Sequence, residues 1–506
     1  MWDALFFSLF FLLNFLHVNS YPLWRIESLA LGSCLFLPAA SLGWITDRTK
    51  QRWFYYASLF AISADLGWGA GSSIKAALGP VGLVLSVFFF LYLAYRSRRS
   101  LPILFRVWVA VSTLSALCFF VFFPESLYTT RGRPPGAHPN NGQPNIYFIV
   151  LDEHAGFNGW PSGAFYDDLK KEIRDRYEKR GFSIYENNNA NFCATMDSIP
   201  SILNDDIPVI ARSKLKGKSL KTNRLFKKFS AEGYGINVYQ STHLDYCDGQ
   251  TVEKCFVYKE SSAGYVKTTS LSEAQKFWVL LNNFIEEHKS RAVIKLFRKV
   301  SPGPPGGEFM TGALAADRVL REMAKDSRSH AKGHVFFAHL LIPHSSYVFD
   351  EDGSLISPFH WQAATGEPLD DSGRLNTADA RAMKYALYAR QVRYLHKRLE
   401  DFFVELDKQG LYQNSRFFFM SDHGSRIYLT APVERFKSKL SSRDMTDAFA
   451  AFLVTRDPTV KAVVHPEETF TIRVAAEFFG LPTDIRDGTK HFFQTSPKDP
   501  AKDIEV

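Results

Sequence analysis

Three short segments, far apart in the chain, each end an apolar run on polar chemistry. Asn145-Ile-Tyr-Phe-Ile-Val-Leu-Asp152-Glu153-His154 stops at two carboxylates. Cys193-Ala-Thr195-Met-Asp-Ser198-Ile-Pro200 is a loop rich in hydroxyls, and Arg416-Phe-Phe-Phe-Met-Ser-Asp422-His423-Gly424 ends in an Asp-His pair. In a parallel sheet, strands release functional residues at their carboxyl ends. Two carboxylates, an imidazole and a hydroxyl gathered there make a first shell for a divalent cation, from Asp152, Thr195, Asp422 and His423. Such donors suit zinc or manganese first, then magnesium or calcium. Coordination lowers the pKa of bound water from 15.7 to roughly 7, and a bound threonine hydroxyl gains in the same sense. Thr195 is then a nucleophile able to carry a covalent phosphoryl or sulfuryl group.

A fourth segment, His339-Leu-Leu-Ile-Pro-His344-Ser-Ser-Tyr347, follows another apolar run. A histidine in that Pro-terminated loop can donate to a developing oxyanion or protonate a leaving alkoxide. Arg426 can hold a phosphate or sulfate, and His339 and Ser198 join it on the substrate side. Each piece also has a bland explanation: Asp-Glu after a strand caps helices, and Thr195 and Ser198 suit a helix starting after Pro200. Their joint occurrence, in this order, favours a site.

The elements that must position these residues follow from composition. The first quarter is far more apolar than the rest, with spans expected near Ala4–Val18, Leu29–Ile45, Phe54–Ile74, Leu78–Tyr95 and Val107–Phe123. Most approach the ~20 residues needed to cross the hydrocarbon core. Arg48, Lys50 and Arg52 fall in one loop and Arg96, Arg98 and Arg99 in another, so the positive-inside rule puts the amino terminus in the cytoplasm and everything after Phe123 outside. An oxidising exterior suits a local disulfide between Cys247 and Cys255. The net charge of +8 is explained better by anionic lipid heads than by nucleic acid, for which no motif occurs.

These features divide the chain into a five-helix anchor (1–123), a Pro/Gly-rich linker (124–144), an outer domain (145–493) and a polar tail (494–506). Strand-like runs at Ile146–Leu151, Gly235–Tyr239, His334–Leu341, Arg416–Met420 and Ala448–Val454 alternate with helical patterns. The fold class is α/β, with a mostly parallel sheet flanked by helices. The stretch from Lys276 to Val300 mixes aromatic residues with cations. It suits either a helix lying on a membrane or a surface helix packed on the sheet.

Taken together, the motifs resemble the sulfatase and alkaline phosphatase superfamily, in particular its membrane-anchored branch of lipoteichoic acid synthases and phosphoethanolamine transferases. That branch has five spans before an outer catalytic domain and a Thr-x-x-Ser-x-Pro nucleophile motif, matched here by Thr195, Ser198 and Pro200. Asp152, Asp422 and His423 match its metal ligands, His344 its substrate-contacting histidine, and Glu153 its paired acid. The chain departs in having Ser425 and Arg426 after Asp-His-Gly, Ser345-Ser346 after His344, and no Cys-x-Pro-Ser-Arg.

The resemblance implies an alkaline-phosphatase-like domain holding one or two divalent ions and a multi-pass enzyme of the bacterial-type inner membrane; a monomer is expected. It implies transfer or hydrolysis of a phosphoethanolamine- or phosphoglycerol-type group through Thr195, from a phospholipid donor to an envelope glycan or lipid. The rival enzyme is a sulfuric- or phosphate-ester hydrolase acting on extracellular polysaccharide. A non-catalytic envelope protein would instead hold no stoichiometric metal.

Overall fold

The computed structural model describes residues 2–68, 92, 95–132, 142–205, 215–216, 218–249, 251–287, 311–361, 377–428, 442–481, 491–493 and 502–504. The chain forms two compact units.

The first unit holds residues 1–127 with 262–309 and 357–360. Helices α1 (Trp2–Val18), α2 (Ile26–Arg48), α3 (Arg52–Trp68) and α4 (Leu101–Phe122) make its frame. Asp3 ties three of them together, accepting from Tyr56 Oη at 2.7 Å and Arg106 Nε at 3.0 Å. Among the described residues, two helices, α2 and α4, are long and apolar enough to cross a membrane. α1 is apolar but 17 residues long, α3 is described over 17, and the span expected at 78–95 lies almost wholly outside the described residues. Two of the five expected spans are therefore supported.

The helix Glu273–Glu287 belongs to this unit. Phe284 meets Phe15 edge-on at 5.3 Å. Asn19, just past α1, donates to Glu287 Oε2 at 3.0 Å and accepts from the Ala263 amide at 2.8 Å. The aromatic face of this segment thus packs on the apolar helices, and the described residues 262–287 group with them instead of with the outer domain to which the sequence assigned them. Residues 288–300 lie outside the described set.

The second unit is built on one nine-stranded sheet. Its strands are β1 (Tyr128–Gly132), β2 (Ile146–Leu151), β3 (Ser183–Asn189), β4 (Gly235–Ser241), β5 (Lys254–Tyr258), β6 (His334–Leu340), β7 (Arg416–Met420), β8 (Leu453–Arg456) and β9 (Val464–Phe470). Their order across the sheet is β1-β5-β4-β6-β2-β7-β8-β3-β9. The centre is parallel: β5, β4, β6, β2 and β7 share one direction, and β9 runs parallel to β3. The pairs β1–β5, β7–β8 and β8–β3 are antiparallel, so the sheet is mixed.

Three boundaries differ from expectation. Residues 448–454 are not one strand, because the helix Ser442–Phe449 ends before β8 begins. The expected linker contributes β1, and the expected tail contributes Lys502–Ile504, paired with His491–Phe493.

β2 is buried along its whole length, and its side chains alternate between two helical layers. Tyr147 stacks on Phe336 and Phe417 and meets Phe402 of the long helix Ala378–Lys408. Phe148 points the other way, onto Phe337, Phe418 and Phe479. Ile199 and Leu203 of helix α5 (Thr195–Asn204) join that second layer. Register does the positioning: Val150 lies opposite both His339 and Met420, and the Asp152 amide donates to the Leu340 carbonyl at 3.0 Å. The ends of β2, β6 and β7 therefore open side by side.

Candidate metal centre and nucleophile

Asp152, Asp422 and His423 leave the ends of β2 and β7 and converge. One ligand atom from each lies within 4.8 Å of the others, and all three side chains are buried. His423 Nε2 is 3.1 Å from Asp422 Oδ2 and 4.0 Å from Asp152 Oδ1. Its Nδ1–H donates to the Gly424 carbonyl at 2.9 Å, which leaves the Nε2 lone pair facing the carboxylates. Gly424 is needed here because a Cβ would collide with the Asp447 carbonyl.

Thr195 enters from the opposite layer as the first residue of α5. The helix starts there, ahead of Pro200, so the hydroxyl sits at a helix amino terminus. Its Oγ1 donates to Asp422 Oδ2 at 2.6 Å and lies 3.4 Å from His423 Nε2. Ser198, one turn on, donates to the Asp422 carbonyl at 2.5 Å. Its hydroxyl clamps the loop after β7 instead of facing open space.

The fit of a cation can be judged on two observations. Asp152 Oδ1 is buried without a hydrogen-bond partner among the described residues, although such atoms are nearly always satisfied. The field also calls for positive charge. Burial and nearby Arg426 would push His423 down, but Asp422 and Asp152 outweigh them and raise it. Burial opposes ionisation of Asp422, yet the His423 charge holds its carboxyl well below the usual range. An ion at this place, held by Asp152, Asp422 and His423 with the Thr195 oxygen beside it, satisfies both.

His339, expected to face substrate, sits behind Asp152. Its Nε2 is 3.0 Å from Asp152 Oδ2, its Nδ1 is 3.1 Å from Tyr246 Oη, and it is fully buried. It orients the carboxylate so that Oδ1 faces the centre, the usual task of a partner behind a metal ligand. Glu153, expected to share the metal, turns away. Its carboxylate pairs with Arg426, Nε at 3.0 Å, and with His344 Nε2 at 3.5 Å. Burial would raise Glu153, but the charges of His344 and Arg426 outweigh it and hold the carboxyl at about 2. Both Glu153 and Arg426 have left-handed backbones, with φ of 63° and 53°. Such backbones cost on the order of 1 kcal/mol or more each and are held by the surrounding contacts.

Several residues of this neighbourhood were not singled out in the sequence. Tyr246 lies in the loop noted for its cysteine. Asp447 accepts from Ser425 and Tyr385 hydroxyls at 2.6 Å each. Lys384 is buried, and burial lowers its ammonium although Glu153 and Asp447 pull it back up. A lysine on the buried stripe of the helix Ala378–Lys408, beside Tyr385, Tyr388 and Gln391, was a signal open to reading. Cys247 and Cys255 are bonded to one another, so the nearby Asp245 completes no thiolate metal site.

Comparison with known proteins shows the family. Residues 145–451, more than half the chain, match the family model described as Sulfatase. No curated protein matches. Among solved structures, the chain is similar to a phosphonate monoester hydrolase of Agrobacterium radiobacter, with 14% identity over 71% of this chain and 81% of that one, TM-score 0.41. Another phosphonate monoester hydrolase, from Silicibacter pomeroyi, shares 14% identity over the same shares, TM-score 0.43. The C-terminal periplasmic domain of phosphoethanolamine transferase EptC from Campylobacter jejuni shares 12% identity over 68% and 91%, TM-score 0.38. The assignment rests on the family match, whose span contains Asp152, Thr195, Asp422 and His423: the chain belongs to the sulfatase family of enzymes.

Proposed function

We propose that this enzyme is anchored in the inner membrane with its second unit on the outer side, and that it moves a phospho-linked group from a phospholipid to an envelope glycan or lipid through Thr195. The observation that carries this reading is the 2.6 Å contact between Thr195 Oγ1 and Asp422 Oδ2, made beside the unpartnered Asp152 Oδ1. The two apolar helices α2 and α4 support the anchor.

A divalent ion held by Asp152, Asp422 and His423, of zinc or manganese type, supplies Lewis acidity that favours the deprotonated Thr195 oxygen. The protein residues do the rest. Asp422 receives the hydroxyl proton's hydrogen bond and fixes Oγ1 in place. The amino end of α5 stabilises negative charge arriving there. Thr195 Oγ1 gives up its proton along its hydrogen bond to Asp422 and bonds to phosphorus as the donor's P–O ester bond breaks, and His344, on the loop after β6, gives its proton to the departing alkoxide. The phospho-threonine is then discharged by an acceptor alcohol or by water. Arg426, held by Glu153, presents its remaining N–H groups to the anion.

The test is mass spectrometry of the Thr195 peptide after the full chain meets vesicles of phosphatidylethanolamine and phosphatidylglycerol. A trapped phosphoethanolamine or phosphoglycerol adduct is expected, discharged faster when a glycan acceptor is added. Discharge at one rate with and without acceptor would select the ester hydrolase instead. No adduct, with turnover persisting in Thr195→Ala, would end the threonine mechanism.

A further inference from the structure

At the opposite end of the sheet a second set of ligand atoms converges. Glu253 immediately precedes β5, His334 opens β6, and His330 follows the helix α6 (Ala316–Ser329). One ligand atom from each lies within 4.8 Å of the others. His334 Nε2 is 3.3 Å from Glu253 Oε2, and the two imidazole centroids are 4.2 Å apart. β6 runs from His334 to Leu340, so at roughly 3.3 Å per residue this cluster is about 20 Å from the Asp152 centre. We propose that Glu253, His330 and His334 form a separate binding site for a zinc-type divalent ion.

The hydrogen bonds around the rings point to a ligand. His330 Nδ1 lies 2.7 Å from the Asp326 carbonyl, and His334 Nδ1 lies 2.9 Å from the Lys332 carbonyl. A carbonyl only accepts, so both Nδ1 atoms carry the proton and both Nε2 atoms keep their lone pairs when the rings are neutral. Backbone carbonyls set this tautomer for metal-binding histidines generally. The ion pair of His334 with Glu253 does not account for the approach of His330, whose ring centroid lies 4.2 Å from that of His334 and whose ligand nitrogen joins the same cluster.

The backbone is also built for the approach. Asn145 donates from Nδ2 to the His330 carbonyl at 2.8 Å and accepts at Oδ1 from the His334 amide at 2.9 Å, clamping both ends of the loop. Gly333, at φ 74°, bonds to Gln143 and Gly235 backbones at 2.9 Å each. Gly235 is the bare floor: a Cβ there would lie 2.5 Å from the Glu253 carboxylate and 2.6 Å from the His334 ring. Two imidazoles and a carboxylate suit zinc, with water in the fourth position. All three side chains are partly exposed, so the ion can exchange with solvent. Bound there, it would staple the starts of β5 and β6 to the end of α6.

The experiment titrates EDTA-stripped full-length protein in detergent with zinc chloride and, separately, cobalt chloride. The parent should bind one equivalent more than Glu253→Gln or His334→Ala. The visible band of four-coordinate cobalt should persist in Asp422→Asn and disappear in Asp422→Asn/His330→Ala. Each ligand change should weaken zinc at this site on the order of 100-fold. Zinc should raise the thermal midpoint of Asp422→Asn but not of Asp422→Asn/Glu253→Gln, in which both centres are disabled and the Gln keeps the carboxylate's shape. Equal zinc stoichiometry and affinity in the parent and in Glu253→Gln would overturn the proposal.

Discussion

Thr195 Oγ1 and Asp422 Oδ2 are 2.6 Å apart although 227 positions separate them in the chain. One sits at a helix amino terminus and the other past a buried strand, so the contact exists only when both layers are packed on the sheet. Removing the hydroxyl leaves that packing in place. Thr195→Ala should therefore lower turnover by at least about 10³-fold, some 4 kcal/mol of barrier, while metal content stays near the parent's. Thr195→Ser keeps the oxygen and should retain a measurable fraction. Steady-state kinetics with elemental analysis decides it; an active alanine variant would refute the nucleophile.

His339 and Asp152 make a different argument, because His339 touches no solvent and faces no open space. Its contribution is to hold Oδ2 so that Oδ1 remains available. His339→Gln should weaken metal binding at the Asp152 centre by roughly 10–100-fold, with turnover recovering as metal is added. Tyr246→Phe, which frees His339 Nδ1, should produce a smaller loss of the same kind. Activity that stays low at saturating metal would show that His339 acts on substrate directly.

The pairing of Glu153 with Arg426 predicts a stability effect that depends on which partner is removed. Arg426→Met alone leaves a buried carboxylate with one fewer cation, a loss of about 3–5 kcal/mol for such pairs. Adding Glu153→Gln removes the stranded charge, so the double variant should be more stable than Arg426→Met. Denaturant unfolding of the four proteins gives the cycle. A double variant less stable than both singles would mean that the pair is not what holds these two left-handed residues.

How much of this was legible in the sequence follows from the range of each interaction. Asp152, Asp422 and His423 stood out because each ends an unbroken apolar run, and a run like Ile146–Leu151 with no polar face is the mark of a central parallel strand. The orientation of Glu153 was not legible, since its partner lies 273 positions away and only the register of β2 against β7 brings them together. The sheet's margins were hidden for a local reason. Val464–Phe470 is largely exposed and Ser183–Asn189 carries three asparagines, so neither shows alternation. The antiparallel β8 was blurred because the apolar stretch from Ala448 spans the end of a helix and the start of a strand. Helix Glu273–Glu287 was amphipathic in sequence, but periodicity says that a face is covered without saying by what.

The last prediction concerns acid stability and rests on His396. Its Nε2 lies 2.9 Å from His154 Nε2 and its Nδ1 3.1 Å from Tyr177 Oη, with both rings fully enclosed. Burial, then the neighbouring His154 and Arg176, push His396 well below the ordinary imidazole value. The folded chain therefore keeps it neutral at a pH where the unfolded chain binds a proton. Stability is then fully present above about pH 6.5, the unfolded value, and falls as the pH drops below it. One such proton contributes a slope of at most about 1.4 kcal/mol per pH unit. Unfolding midpoints of the full chain between pH 8 and pH 5 should decline towards acid, and His396→Gln should flatten part of that decline while costing stability at pH 8. A decline of equal slope in parent and variant would place the acid sensitivity in other groups.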